Sequence, residues 1–243
     1  MKPDLIDIAN FYENFCELTE DLHEIWENSS TISSTSSPQH LINAMSQLAG
    51  ILRNIEESGE IPESTNNDIN TLGEYGLQLL TELSELAGNL QQKKASRGLE
   101  NLSLPMALWT ARHGGEITNL APIVNALAYF ANHSSEPKFM VQLLSLSSEI
   151  YDSINPKITE IDPKDPMNPW RLLVLNRAII ATRTFDPDLM APIFDNVVEH
   201  LPETAASFFE EGIEQMNNVE YPEPVKELMT QYFQTFNSKR VLH

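Results

Sequence analysis

The sequence predicts an all-α protein, and three observations predict it. Apolar residues recur at spacings of three and four over most of the chain, the signature of helices that bury one face. Strand-like alternation is nearly absent. Breaks rich in proline, serine or glycine separate the periodic runs, so the helices have identifiable ends. With 243 residues, 41% hydrophobic and 21% charged, the chain has the balance of a globular protein of one large or two modest domains.

Pro3 and Asp4 open a first helix whose apolar positions are Ile8, Phe11, Phe15, Leu18, Leu22 and Ile25. That spacing is the seam of a helix packed lengthwise on neighbours. Ser29 to Ser37 is a low-complexity break, read as a mobile loop. Pro38 restarts a helix through Leu41, Met45, Leu48, Leu52 and Ile55, ending at Ser58 and Gly59. After a polar loop, Ile69, Leu72, Gly76, Leu79, Leu83, Leu86 and Leu90 place a third helix over Asn67 to Ala95, about 40 Å long. Gly73 and Gly76 inside it predict the close approach of another helix. Residues 1–98 thus read as an antiparallel three-helix bundle. Its heptads also support a homodimer, but each run ends within about four heptads, which favours packing within the chain.

Gly98 to Leu102 is the expected boundary with the second half, 99–243, which carries a weak internal repeat. ALWTAR (Ala107 to Arg112) is echoed by AIIATR (Ala178 to Arg183), and the API at Ala121 by the API at Ala191, at almost the same displacement. Each copy reads as an apolar helix ending in Arg, a turn, then a helix with proline in or just beyond its first turn. Units that cannot bury their own face stack, so this half reads as helical repeats in a short α-solenoid-like array. Further helices are expected over Glu136 to Ile154, Pro202 to Met216 and Pro222 to Phe236, and a stiff proline-rich connector over Asn155 to Pro169.

The centre of that half is Trp170 to Phe185, WRLLVLNRAIIATRTF. Leu172, Leu175 and Ile179 share one face, Leu173 and Ile180 a second, and Val174, Ala178, Ala181 and Phe185 a third, so the helix is expected to be buried all round. Yet it carries Arg171, Arg177 and Arg183, three of the seven arginines in the chain. A buried cation is costly unless paired, so these residues must face carboxylates or a ligand. Trp109, Arg112, Asn176, Arg177 and Arg183 are therefore the candidate ligand-binding residues, with guanidinium forks suited to a carboxylate or phosphate. Ion pairing with the abundant Asp and Glu is the competing, preferred account of the arginines.

Three histidines share one local pattern, His113–Glu116, His133–Glu136 and His200–Glu203. A His and a carboxylate three apart have metal-ligand spacing, but helix breakers lie between them. Helix-end electrostatics explains the pattern without a metal, so no metal site is assigned. His113, Glu116, His133 and Glu136 are its weak candidates. No Gly-rich phosphate loop and no nucleophile elbow occurs, and the lone Cys16 sits among acidic residues, a poor setting for a thiolate. No cofactor is expected.

The net charge is −20, and its placement is uneven. Pro3 to Leu52 holds eight acidic residues and no Lys or Arg, and Asp186 to Pro224 holds ten and none. Such faces repel nucleic acid and anionic membrane. The absence of a long apolar run and of a basic-then-apolar leader, with a single cysteine, points to a cytoplasmic protein. The expected function is a non-catalytic interaction or adaptor protein whose acidic faces dock a basic protein partner. The alternative is a small-molecule anion binder or enzyme with an arginine-lined pocket between helices.

Overall fold

A computed structural model describes residues 10–29, 37–59, 69–160 and 165–240, with side chains through Thr235. The expected helix start at Pro3, most of the serine-rich break, the loop before Ile69 and part of the connector before Pro169 lie outside the described residues. Among those described, the only extended pairing is one isolated bridge between Ile117 and Ile154; all named elements are helices. The protein is all-α. No described helix is long and apolar enough to cross a membrane.

In chain order the helices are α1 (Phe11–Thr19), α2 (Leu22–Glu27), α3 (Pro38–Ser58), α4 (Ile69–Asn89), α5 (Lys93–Asn101), α6 (Ser103–Arg112), α7 (Ala121–Asn132), α8 (Pro137–Asp152), α9 (Pro156–Thr159), α10 (Pro169–Thr182), α11 (Pro187–His200), α12 (Pro202–Asn218) and α13 (Glu223–Arg240). They form two compact units. The first is Met1–Tyr129 with Glu149–Ile158, and the second is Phe130–Ser148 with Thr159–His243.

In the first unit, α4 packs against α3, α5 and α6. The first expected helix is divided between α1 and α2, which are separated at Glu20 and Asp21. The third expected helix stops short at Asn89. Gln91 takes a left-handed conformation, φ 61°, while its N–H bonds the Gly88 carbonyl and that of Gln92 bonds Ala87. This double closure is a Schellman stop, which satisfies carbonyls the helix end would leave orphaned. The two glycines behave as their spacing predicts. A Cβ on Gly73 would sit 2.1 Å from Thr110 Oγ1, and one on Gly76 2.7 Å from Met106 Cε. Here α6 lies against α4 with no room for a side chain.

In the second unit, α10 packs on α11, and α11 on α12 and α13. Phe194 of α11, Phe208 and Phe209 of α12 and Tyr232 of α13 form one aromatic cluster, its closest ring centroids 5.2 Å apart, mostly edge to face. Such pairs contribute roughly 0.5–1.5 kcal/mol each beyond their buried area. Asn168 caps α10 by accepting hydrogen bonds from the Trp170 and Arg171 N–H groups, and Asp186 caps α11 through Asp188 N–H. Pro187 takes the first position of α11, so Pro192 of the second API lies deeper in the helix than expected.

The enclosed helix is α6, not α10. Every residue from Ser103 to Thr110 is buried. On α10 the strip Leu172, Leu175, Asn176 and Arg183 is half-buried, and Ile179 is 43% exposed. The expectation of a rod buried all round is thus corrected on one side: an apolar residue facing outward does not by itself obtain cover.

Two glycine substitutions test the packing in opposite directions. Gly73→Ala lowers stability by roughly 1–3 kcal/mol, since the added methyl overpacks against Thr110. Gly50→Ala, in α3 with nothing within 4 Å of the new carbon, raises it by roughly 0.5–1 kcal/mol through backbone entropy. Urea unfolding midpoints measure both, and an unchanged midpoint for Gly73→Ala would contradict the tight α4–α6 crossing.

Candidate functional site

The candidate residues fall in both units. Trp109 and Arg112 belong to the first. Trp109, 1% exposed, stacks on His113 with ring centroids 4.5 Å apart, and its indole Nε1 is buried without a hydrogen-bond partner. Arg112, one turn on, points outward, where Nε donates to Glu149 Oε2 at 2.8 Å and Nη2 to Oε1 at 3.3 Å. An exposed pair of this kind contributes at most about 1 kcal/mol.

Asn176, Arg177 and Arg183 belong to the second unit. Arg177 is buried and donates to Ser148 Oγ at 3.1 Å and Asn196 Oδ1 at 3.4 Å, joining α10 to α8 and α11. Arg183, just past the end of α10, donates to the main-chain carbonyls of Ala131 and Ser134. It thereby closes the carboxyl end of α7, where orphan carbonyls and the helix dipole both favour a cation. Asn176 is half-buried on α10. Of the carboxylates expected opposite the arginines, Glu149 meets Arg112; an amide and a hydroxyl are among the groups that engage Arg177, and carbonyls engage Arg183.

Each histidine of the three pairs lies at or just after the end of a helix. His113 follows α6 as its cap, with Nδ1 2.8 Å from the Trp109 carbonyl and Nε2 3.7 Å from Glu56 Oε1. Glu116 accepts a hydrogen bond from Asn155, beside the Ile117–Ile154 bridge and outside any helix. His133 and Glu136 are exposed between α7 and α8. Among the described residues no three His, Cys, Asp or Glu side chains gather as a metal set.

The second unit also holds a cleft of about 440 Å³. Its walls are Ile179, Thr182, Arg183 and Phe185 at the end of α10, Phe208, Glu211, Gly212, Gln215 and Met216 on α12, Val219 and Tyr221 in the following loop, and Met229 of α13, with Asn132 and Ser135 at one end. Three of its wall residues, Ile179, Phe185 and Val219, are 43%, 38% and 59% exposed. Among the described residues Tyr75, Val141 and Met167 are comparably open, but they do not share one concave surface as these three do. Phe185 holds a left-handed backbone, φ 60°, a strained choice for a bulky residue, and its ring meets Tyr221 edge to face at 5.4 Å.

Of these wall residues Ile179, Thr182, Arg183 and Phe185 lie in the stretch that the sequence singled out. The α12 face was missed. Its signal is the run Phe208, Gly212, Met216 and Val219 at spacings of four and three, overshadowed by the stronger buried run through Ala205 and Phe209. Gly212 lets α13 approach, since a Cβ there would sit 2.8 Å from Met229 Cε. Comparison with protein-family models, with curated proteins and with solved structures finds no match for this chain.

The cleft keeps its α13 wall through Tyr232, whose hydroxyl lies 2.6 Å from Asp195 Oδ1 and 3.0 Å from the Ala191 carbonyl of α11. Burial, then the hydrogen bond and charge of Asp195, raise this phenol well above its ordinary value of 10.0. The folded state therefore holds the proton more tightly than the unfolded chain. Its contribution is complete below about pH 10 and is lost as pH climbs beyond that, because only the unfolded chain readily sheds the proton. Stability measured by urea unfolding is expected to fall more steeply above pH 10 in the natural protein than in Tyr232→Phe. Equal slopes would remove Tyr232 from this role.

Proposed function

We propose that the protein is a non-catalytic interaction or adaptor protein that docks a basic protein partner on the acidic surface of its second unit, acting in the cytoplasm. One observation carries the reading. The cleft's exposed apolar residues lie in or beside the stretch from Asp186 to Pro224, which has ten acidic residues and no Lys or Arg. Apolar floor and acidic surroundings together suit a partner with apolar anchors and positive charge, since complementary potentials steer encounter while buried apolar groups hold the complex.

Glu210, Glu211 and Glu214 are exposed on α12, and Glu211 lines the cleft itself. Arg183 is the one cation among the described wall residues, and its guanidinium already serves the end of α7. That engagement favours a basic occupant over an anion. The finer architecture belongs to the same proposal: the helices over 1–98 bundled as scaffold, and stacked helical pairs over 99–243 that present the docking surface.

Capture from lysate at low and high salt tests the reading. The bound proteins are expected to be basic, and retention is expected to fall steeply as salt rises. A folded variant with Glu210→Gln, Glu211→Gln and Glu214→Gln is expected to retain several-fold less. Capture that ignores both salt and the neutralised variant would overturn it.

A further inference from the structure

We infer that the cleft receives one amphipathic basic helix of the partner, with an apolar side chain inserted against the Phe185–Tyr221 pair and Lys or Arg side chains reaching Glu211 and its acidic neighbours. The inference rests on the preceding proposal of a basic protein partner and adds the site and the shape of what binds.

Three observations select a helix. First, an extended peptide that binds as an added strand needs a sheet edge, and the described residues offer none, the Ile117–Ile154 bridge being isolated and in the other unit. A helix satisfies its own main chain and needs only a groove for its apolar face. Second, the α12 wall is a ridge of a helix: Phe208, Glu211, Gly212, Gln215 and Met216 follow the spacing of three and four, the surface into which another helix's ridges fit. The Met229 side chain of α13 fills the space over Gly212, and the flexible Met216 and Met229 adapt to anchors of different shape. Third, the charge of the rim is of one sign where it is not already engaged. Glu211 stands on the wall with Glu210 and Glu214 exposed on the same helix, while Arg183 is taken up by the Ala131 and Ser134 carbonyls.

Phe185 marks where the anchor goes. A left-handed position after a helix is ordinarily filled by Gly or Asn, yet here it carries an aromatic ring, 38% exposed, standing edge to face with Tyr221 at 5.4 Å. The two rings form a wall that an inserted apolar side chain would cover. Rigid aromatic side chains at the centre of a groove are the usual energetic focus of such docking.

The test is fluorescence anisotropy with a labelled synthetic helix of about 15 residues, long enough to be helical when bound, built of Leu and Lys in amphipathic order. A scrambled peptide of the same composition is the control. The full chain is compared with Val219→Lys, at a 59% exposed position, and with Phe185→Gly, which relieves the backbone. The amphipathic peptide is expected to bind roughly tenfold more tightly than the scrambled one, and each variant to weaken it by roughly tenfold. The melting temperature of Val219→Lys is expected to stay unchanged, which separates lost docking from lost folding. Equal binding of the two peptides, untouched by either variant, would sink the cleft while leaving a basic partner on the acidic surface. Binding of neither peptide at low salt would sink both readings.

Discussion

The second unit depends on how the carboxyl end of α10 is held. Arg183 spans from that end to the carbonyls of Ala131, in the last turn of α7, and of Ser134, in the loop beyond it, so one guanidinium satisfies an acceptor that the helix end would otherwise leave bare. Its planar fork carries donors in fixed directions, which lets one side chain fix both a distance and an orientation. From that fixed end the chain turns through Phe185 into α11, and Ile179, Thr182 and Arg183 become one wall of the cleft. The opposite wall is secured separately, by the aromatic cluster of Phe194, Phe208, Phe209 and Tyr232. The cleft therefore lies between two independently anchored walls, and its opening needs no missing support to explain it.

Helix content was legible in the sequence because period, caps and breakers agree at most positions. Ser37 with Pro38, Asn168 with Pro169 and Asp186 with Pro187 are all N-cap and first-position pairs, and each cap side chain accepts the expected bond. Gly73 and Gly76 announced a close helix crossing for the same local reason: only a missing Cβ allows it. What the sequence did not order was the ranking of burial. The segment at 170–185 and α6 are both apolar on several faces, and their compositions do not say which is surrounded. The structure encloses α6, whose Ser103 hydroxyl lies 2.9 Å from the Pro122 carbonyl, and leaves Ile179 of α10 exposed. Burial depends on neighbours supplied from far along the chain, and periodicity carries no information about them.

The arginines show the same boundary between local and non-local information. That a cation on an apolar helix requires a partner follows from electrostatics alone. Which partner it finds does not. Arg112 found Glu149, thirty-seven positions away, Arg177 is engaged by Ser148 and Asn196, and Arg183 reached a helix end instead of a side chain. Main-chain carbonyls are acceptors at every position, so no residue type marks them in a sequence. The cleft was hidden for a related reason. Its α12 face is a weaker apolar run beside a stronger one, and its meaning appears only once α10, α12 and α13 are placed around it.

The exposed aromatic at Phe185 bears on what that cleft is for. A left-handed backbone costs a bulky residue on the order of 1–2 kcal/mol relative to glycine. The edge-to-face contact with Tyr221 returns roughly 0.5–1.5 kcal/mol, and the part of the ring that the unit already covers adds to it. Glycine would serve the helix stop without that strain, so the ring is kept for its contacts, and 38% of the residue remains open. An aromatic ring gains its full hydrophobic stabilisation only when its open area is covered, at about 25 cal/mol per Å². A docked apolar side chain would supply that cover, and it would do so on the same surface where Glu211 and its neighbours favour a positively charged occupant. The strained backbone, the half-open ring and the one-sided charge are separate observations, and an occupied cleft accounts for all three.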